Sequence, residues 1–191
     1  MIAQLRGKII EKNPTDLVIE CGGVGYELRV SLNTSTAIDA SKEALLFTQL
    51  IVREDAQILY GFFDKEERTM FNHLISVSGI GPNTAILMLS ALRPAEIARA
   101  IQSEDLVTIK KIKGIGAKTA ERVIVDLRDK VAKLGFTENN LSSGGNTTKF
   151  EALSALVSLG FDRKSVEKVI DAIYTDEATV ETLIREGLKK L

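Results

Sequence analysis

Apolar and polar residues alternate with a period of two along the first part of the chain. Val24 to Val30 shows the alternation most clearly, and Ile58, Tyr60 and Phe62 repeat it. Successive side chains of a strand point to opposite faces, so this pattern predicts strands with one buried face. Gln4 to Glu11, Leu17 to Cys21 and Leu45 to Val52 are further runs of β type, with turns marked by Asn13-Pro14 and Gly22-Gly23. Five short strands in about sixty residues fit a small closed or partly closed barrel such as an OB-fold. An open sheet of four or five strands is the alternative.

From Asp64 onward the period becomes helical. Phe71, Leu74 and Ile75 share one predicted helical face, and Ile86, Leu87 and Leu89 share that of a second helix. Residues 137–148, TENNLSSGGNTT, contain one apolar residue in twelve. Such a composition buries too little surface to offset ordering entropy and predicts a flexible linker. A three-helix pattern follows. Phe150, Leu153, Leu156 and Val157 form the first stripe, which ends at Gly160. Asp162 is placed to cap a second helix carrying Val166, Val169, Ile170 and Ile173; Val180, Leu183, Ile184, Leu188 and Leu191 form the third. The expected class is therefore multi-domain α+β. It has a barrel over 1–63, a helical domain over 64–136, a linker over 137–148 and a small helical module over 149–191.

The helical domain contains an internal repeat with a period of 35 residues. Leu74 to Ala85, LISVSGIGPNTA, recurs as Ile109 to Ala120, IKKIKGIGAKTA, so that Gly79, Ile80 and Gly81 align with Gly114, Ile115 and Gly116. A helix is expected before and after each GIG, and this arrangement resembles the helix-hairpin-helix motif, present twice. Both glycines of each motif are expected to relieve backbone angles and to remove Cβ atoms from the surface. The N–H groups of the hairpin and of the following helix can then meet a phosphate oxygen. The intervening isoleucine plugs inward. Contacts of this kind reach the sugar-phosphate backbone and carry no base information. Gly79, Gly81, Asn83, Gly114, Gly116, Lys118 and Arg122 are the candidate phosphate-binding residues.

Charge supports the same region. The formal net charge is −1, which excludes a generally basic nucleic-acid binder. Its distribution is uneven: residues 63–135 hold an excess of three basic side chains, and the segments on either side each hold an excess of two acidic ones. Lys110, Lys111, Lys113 and Lys118 share a window without an acidic residue, so phosphate is expected there. No apolar run approaches the ~20 residues that span a bilayer, and the N-terminus does not read as a secretory signal. A single cysteine, Cys21, suits a reducing cytoplasm and a packed thiol.

Enzymatic readings find little support. His73 is the only histidine and lies near an apolar helix face, no metal-ligand cluster or catalytic triad spacing is present, and no cofactor is implied. GIGAKT is not a nucleotide P-loop, since Ala117 stands where glycine must precede the lysine. Asp126, downstream of the second GIG, reads as surface charge rather than as a glycosylase aspartate. A general duplex-binding scaffold and a protein-binding adaptor with structural hairpins remain as alternatives from the motifs alone.

The stretches VREDAQILYGF, KEERTMFNHLISVSGIGPNTA and IKGIGAKTAERVIVDLRDK resemble the RuvA family, and the likeness extends over essentially the whole chain. It implies an N-terminal OB-fold barrel, tandem helix-hairpin-helix motifs and a C-terminal three-helix, UBA-like module. It also implies a cytoplasmic, non-catalytic homotetramer that binds four-way junction DNA (Holliday junctions). Its implied partners are the hexameric ATPase RuvB, for branch migration, and the nuclease RuvC, with no membrane. Glu54 and Asp55 would form an acidic pin at the centre of the tetramer, repelling phosphate where the arms meet. The module over 149–191 would contact RuvB, with Leu159, Gly160 and Phe161 as candidate contacts. Family members commonly carry lysine where this chain has Asn83.

Overall fold

The computed structural model describes residues 1–40, 42–134, 144–175 and 178–191. They fall into two compact units, Met1–Glu138 and Asn139–Leu191.

The first unit opens with strands β1 (Gln4–Lys12), β2 (Asp16–Cys21) and β3 (Val24–Val30), followed by helix α1 (Leu32–Ala37) and strands β4 (Glu43–Val52) and β5 (Gln57–Phe62). The strands close into a barrel in the order β1-β2-β3-β5-β4. The barrel is the closed alternative, not the open sheet. Neighbours pair antiparallel except β3 and β5, which run parallel and share only two registered pairs, Arg29 with Tyr60 and Val30 with Gly61. Alternation puts Leu5, Leu17, Ile19, Leu28, Val30, Leu46 and Leu59 inside, joined by Ile38. Burying a side chain of this size contributes about 1.5–3 kcal/mol, which is why the period-two pattern fixes the register. At the parallel seam a Cβ on Gly61 would lie 2.8 Å from Leu28 Cδ2, so a larger residue there would make that buried leucine shift.

Helix α1 has no apolar periodicity to announce it. Ser31 caps it by accepting from the Thr34 N–H at 2.9 Å. Both hydroxyls, of Ser31 and Thr34, donate to the carboxylate of Glu67, which is buried.

Helices α2 (Lys65–Ile75), α3 (Pro82–Ala91), α4 (Pro94–Gln102), α5 (Leu106–Lys110) and α6 (Ala117–Leu134) complete the unit. Their core includes Met70, Phe71, Leu74, Met88, Leu89, Ile97, Ile109, Val123 and Leu127. Tyr60 and Phe62 of β5 belong to this helical core as well, with ring centroids 5.1 and 4.9 Å from that of Phe71. The last strand thus carries the barrel onto the helices. One expectation fails here: Leu87 is exposed, and Ala85, Met88 and Leu89 form the buried face. Residues 85 and 89 are one turn apart, so 87 between them points to the other side.

The second unit holds α7 (Gly144–Ser158), α8 (Arg163–Ile173) and α9 (Val180–Lys190) around Ala152, Leu156, Val166, Ile170 and Leu183. Asp162 caps α8 by accepting from the Ser165 N–H at 3.1 Å. Of the expected linker, 137–143 lie outside the described residues, and Gly144 to Thr148 instead begin α7. A helix held by packing at Ala152 and Leu156 propagates backwards at little further cost, and a polar composition does not stop it. Leu188 and Leu191, expected in the third stripe, are exposed. Gly187 takes the inner position, where a Cβ would meet Leu156 Cδ1 at 2.9 Å. Among the described residues no helix is long and apolar enough to cross a membrane.

Candidate nucleic-acid interface

The two GIG motifs have the same backbone. In the first, the Val77 N–H donates to the Leu74 carbonyl at 3.1 Å and the Ile80 N–H to the Val77 carbonyl at 3.0 Å. In the second, Ile112 donates to Ile109 at 3.3 Å and Ile115 to Ile112 at 3.1 Å. Ile80 and Ile115 are both buried, as plugs between two glycines should be. Gly79 and Gly114 adopt φ of 93° and 90°, a region that side chains disfavour.

The second glycine of each motif behaves differently from the expectation. Gly81 has an ordinary φ of −86°, and Gly116 is not among the residues of positive φ. A Cβ at either position would meet nothing within 4 Å. Neither conformation nor internal packing asks for glycine at Gly81 or Gly116, and what glycine provides there is a bare surface.

That surface carries donors. The first bonds into α3 and α6 run from Ala85 to the Gly81 carbonyl at 3.0 Å and from Ala120 to the Gly116 carbonyl at 2.9 Å. The N–H groups of Asn83 and Thr84, and of Lys118 and Thr119, lie before those bonds, where a helix leaves its donors free. No side chain caps α3. Lys110, Lys111, Lys113 and Lys118 are exposed, and none is in an ion pair among the described residues. Two hairpins, each offering aligned N–H groups, with a lysine cluster beside one of them, form an arrangement able to hold a phosphate backbone.

The side chains around the hairpins differ. Lys118 is exposed at the start of α6. Its counterpart Asn83 accepts at Oδ1 from Arg29 Nη1 and from the Tyr60 hydroxyl, both at 3.2 Å. Burial raises the Tyr60 pKa, partly offset by the charges of Arg29 and Arg53, so the hydroxyl stays a donor. Arg122 Nη1 reaches the Ser78 carbonyl oxygen at 3.3 Å, and Lys130 Nζ donates to Ser76 Oγ at 3.3 Å, so α6 grips the first hairpin. No sequence signal marks Arg29, Tyr60, Ser78 or Lys130 as part of the site. Arg29 occupied only a polar position in an alternating strand, and nothing local distinguished it.

Glu54 and Asp55 sit exposed at the tip of the β4–β5 hairpin, closed by the Arg53 N–H to the Ala56 carbonyl at 2.8 Å. Asp126 is exposed. His73 is half-buried, and burial, with Lys130 nearby, lowers its pKa. Cys21 is half-buried, with its thiol on the Arg6 carbonyl at 3.1 Å. Among the described residues no group of histidine, cysteine or carboxylate side chains could hold a metal ion. In the second unit, Gly160 adopts φ of 100° and ends α7: its N–H donates to the Val157 carbonyl at 3.0 Å, and Phe161 donates to Leu156 at 3.3 Å. Leu159 is exposed, whereas Phe161 packs against the small core.

The chain matches three family models: RuvA N terminal domain over residues 1–61, SAM-like Helix-hairpin-helix tandem over 71–129, and RuvA, C-terminal domain over 151–191. It is 51% identical to a Christiangramia forsetii protein and 51% identical to a Flavobacterium psychrophilum protein, in each case over all of both chains. It is 46% identical to a Bacteroides thetaiotaomicron protein with the same full coverage. All three relatives bear the name Holliday junction branch migration complex subunit RuvA.

Proposed function

The chain belongs to the RuvA family, and from that premise we propose that it binds four-way DNA junctions by shape and charge and serves branch migration as a non-catalytic subunit. The observation that carries the reading is the pair of hairpins with matching backbone bonds 35 residues apart. Each presents a glycine that the fold itself does not need, next to unsatisfied helix donors. Gly79, Gly81, Asn83, Gly114, Gly116, Lys118 and Arg122 contact the phosphate backbone. Since they meet phosphate and sugar, one sequence is held as well as another.

Four copies assemble around the junction, with Glu54 and Asp55 near the axis. Their carboxylates penalise a duplex laid across the centre and leave the arms of a junction untouched. The C-terminal unit recruits the RuvB motor, with Leu159, Gly160 and Phe161 as the contact turn; the exposed Leu159 supports this part. RuvC joins the same complex in the cytoplasm. The relatives' shared name and the three matched models support the junction and branch-migration part of this reading.

The test is a gel-shift competition between a synthetic four-way junction and linear duplex of matched length and sequence at moderate salt. Preference for the junction is expected, followed by ATP-dependent branch migration once RuvB is added. Equal affinity for both substrates would reduce the chain to a duplex-binding scaffold, and binding to neither would favour a protein adaptor.

A further inference from the structure

We propose that Arg29, a barrel residue, supplies the cation of the first hairpin's phosphate contact, the role that Lys118 fills at the second. The inference rests on the junction-binding reading and assigns to it a residue outside both hairpins.

The repeat itself poses the problem. Aligned at 35 residues, Asn83 stands where the second copy has Lys118. The first hairpin has the glycines, the plug and the free helix donors of the second, but no charge of its own at this position. The fold provides one from elsewhere. Arg29 Nη1 lies 3.2 Å from Asn83 Oδ1, so a guanidinium stands against the side chain that replaces the lysine. The separation in sequence is 54 residues.

Three further features suit Arg29 to this role. It is exposed, and no carboxylate is in an ion pair with it among the described residues. Asp16, its registered neighbour on β2, is instead engaged by Asn13 at 2.8 Å and Thr15 at 3.2 Å. The guanidinium engages Asn83 and also the Tyr60 hydroxyl, which leaves further donors of its planar fork to match phosphate oxygens. The residue stands between the fully buried Leu28 and Val30, in register with β2 along six pairs and with β5 at a two-pair seam. In the closed barrel the cation is in place before the ligand arrives.

Asn83 then has a definite part. Its Oδ1 is occupied by Arg29 and by Tyr60, which leaves its NH2 group as the donor available to a ligand. A lysine at this position would set two cations side by side, so arginine on the barrel and asparagine on the hairpin form a consistent pair.

The experiment measures affinity of the full chain for a four-way junction across a salt series. Arg29→Met is expected to flatten the log-log slope by about 0.9 for each protomer bound. Arg29→Lys should keep the slope. Asn83→Lys introduced into Arg29→Met should restore it by moving the cation from strand to hairpin. An Arg29→Met slope equal to that of wild type would overturn the inference, because an arginine that merely braces Asn83 changes affinity without changing the number of ions released. Lys118→Ala run alongside separates the two levels of the argument. If Lys118→Ala flattens the slope and Arg29→Met does not, only the role of Arg29 falls. If the wild-type chain shows no preference for the junction, the reading beneath it falls too.

Discussion

Arg122 and Ser78 lie in different repeats and are joined by one hydrogen bond, from Arg122 Nη1 to the Ser78 carbonyl oxygen at 3.3 Å. The bond sets the first hairpin against the helix that leaves the second, and so helps fix the spacing at which the proposed interface would meet two phosphates. Arg122→Lys keeps the charge and loses this geometry. It should lower junction affinity with the salt slope intact, whereas Arg122→Ala should lower both. Affinity unchanged by Arg122→Lys would show that the spacing does not depend on this bond.

The glycines of one hairpin should separate by function. Gly79→Ala forces a side chain to φ near 93° and is expected to cost about 1–2 kcal/mol of stability. Gly81→Ala meets open space at an ordinary φ. There the reduced entropy of the unfolded chain and the poorer capping by alanine oppose each other at about 0.5–1 kcal/mol each. Gly81→Ala should therefore fold like the wild type in urea titrations and bind junction DNA more weakly. A Gly81→Ala chain that binds normally would remove the close approach from the interface.

Glu54 and Asp55 offer a test of discrimination rather than affinity. Glu54→Gln with Asp55→Asn removes the charge from an exposed tip where neither carboxylate has a hydrogen-bond or ion-pair partner among the described residues. Stability should change by less than about 0.5 kcal/mol. The ratio of junction to duplex affinity should fall, read in the same competition assay. An unaltered ratio would make the tip an ordinary turn.

Glu67 makes stability depend on pH. Its pKa is raised above 4.5, chiefly by burial, while the Ser31 and Thr34 hydroxyls pull it partly back. A raised folded-state value means that the folded chain holds this proton more tightly than the unfolded chain. The corresponding stability is fully present below the ordinary carboxylate range and is lost as pH rises through the raised value. Glu67→Gln lacks that loss. Urea midpoints measured against pH should therefore show the variant gaining on the wild type as pH climbs from about 4.5, and a constant difference above the titration. A difference that is flat throughout would show that burial does not disfavour the charge.

Glu104 ends α4 in the left-handed region, at φ of 55°, with the Glu104 N–H on the Ile101 carbonyl at 3.3 Å and Asp105 on Ala100 at 2.8 Å. Gly160 ends α7 with the same pair of bonds. Glu104→Gly relieves the backbone and loses an exposed ion pair to Arg128, two effects of about 1 kcal/mol or less that oppose each other. Its stability should stay within about 1 kcal/mol of wild type, while Glu104→Val should lose about 1–2 kcal/mol. Equal stability of Glu104→Val and Glu104→Gly in urea titrations would show that the backbone angle carries no cost.

The sequence was most legible where burial repeats with a fixed period. Leu28 and Val30 announced their strand, and the two plugs Ile80 and Ile115 announced their hairpins, because each signal lies within a dozen residues. Helix α1 is not legible in the sequence, because a cap and a distant carboxylate hold it rather than an apolar stripe. The GIG motif does not reveal which glycine of the pair has positive φ. Asn83 brings no charge to the position that Lys118 occupies in the second copy. Only barrel closure brings Arg29 to it, and no local pattern encodes a contact across 54 positions.

The seam between β3 and β5 is the shortest pairing in the barrel, and Arg29 and Tyr60, which close it, are the two residues that hold Asn83. A seam of two pairs is where local opening and backbone amide exchange should begin. Any ligand seated on the first hairpin through these side chains binds only the closed form. It therefore draws the opening equilibrium towards closure by mass action. On the proposed interface nucleic acid would act on the barrel as a clasp, linking the ease with which the barrel breathes to the grip of the hairpin.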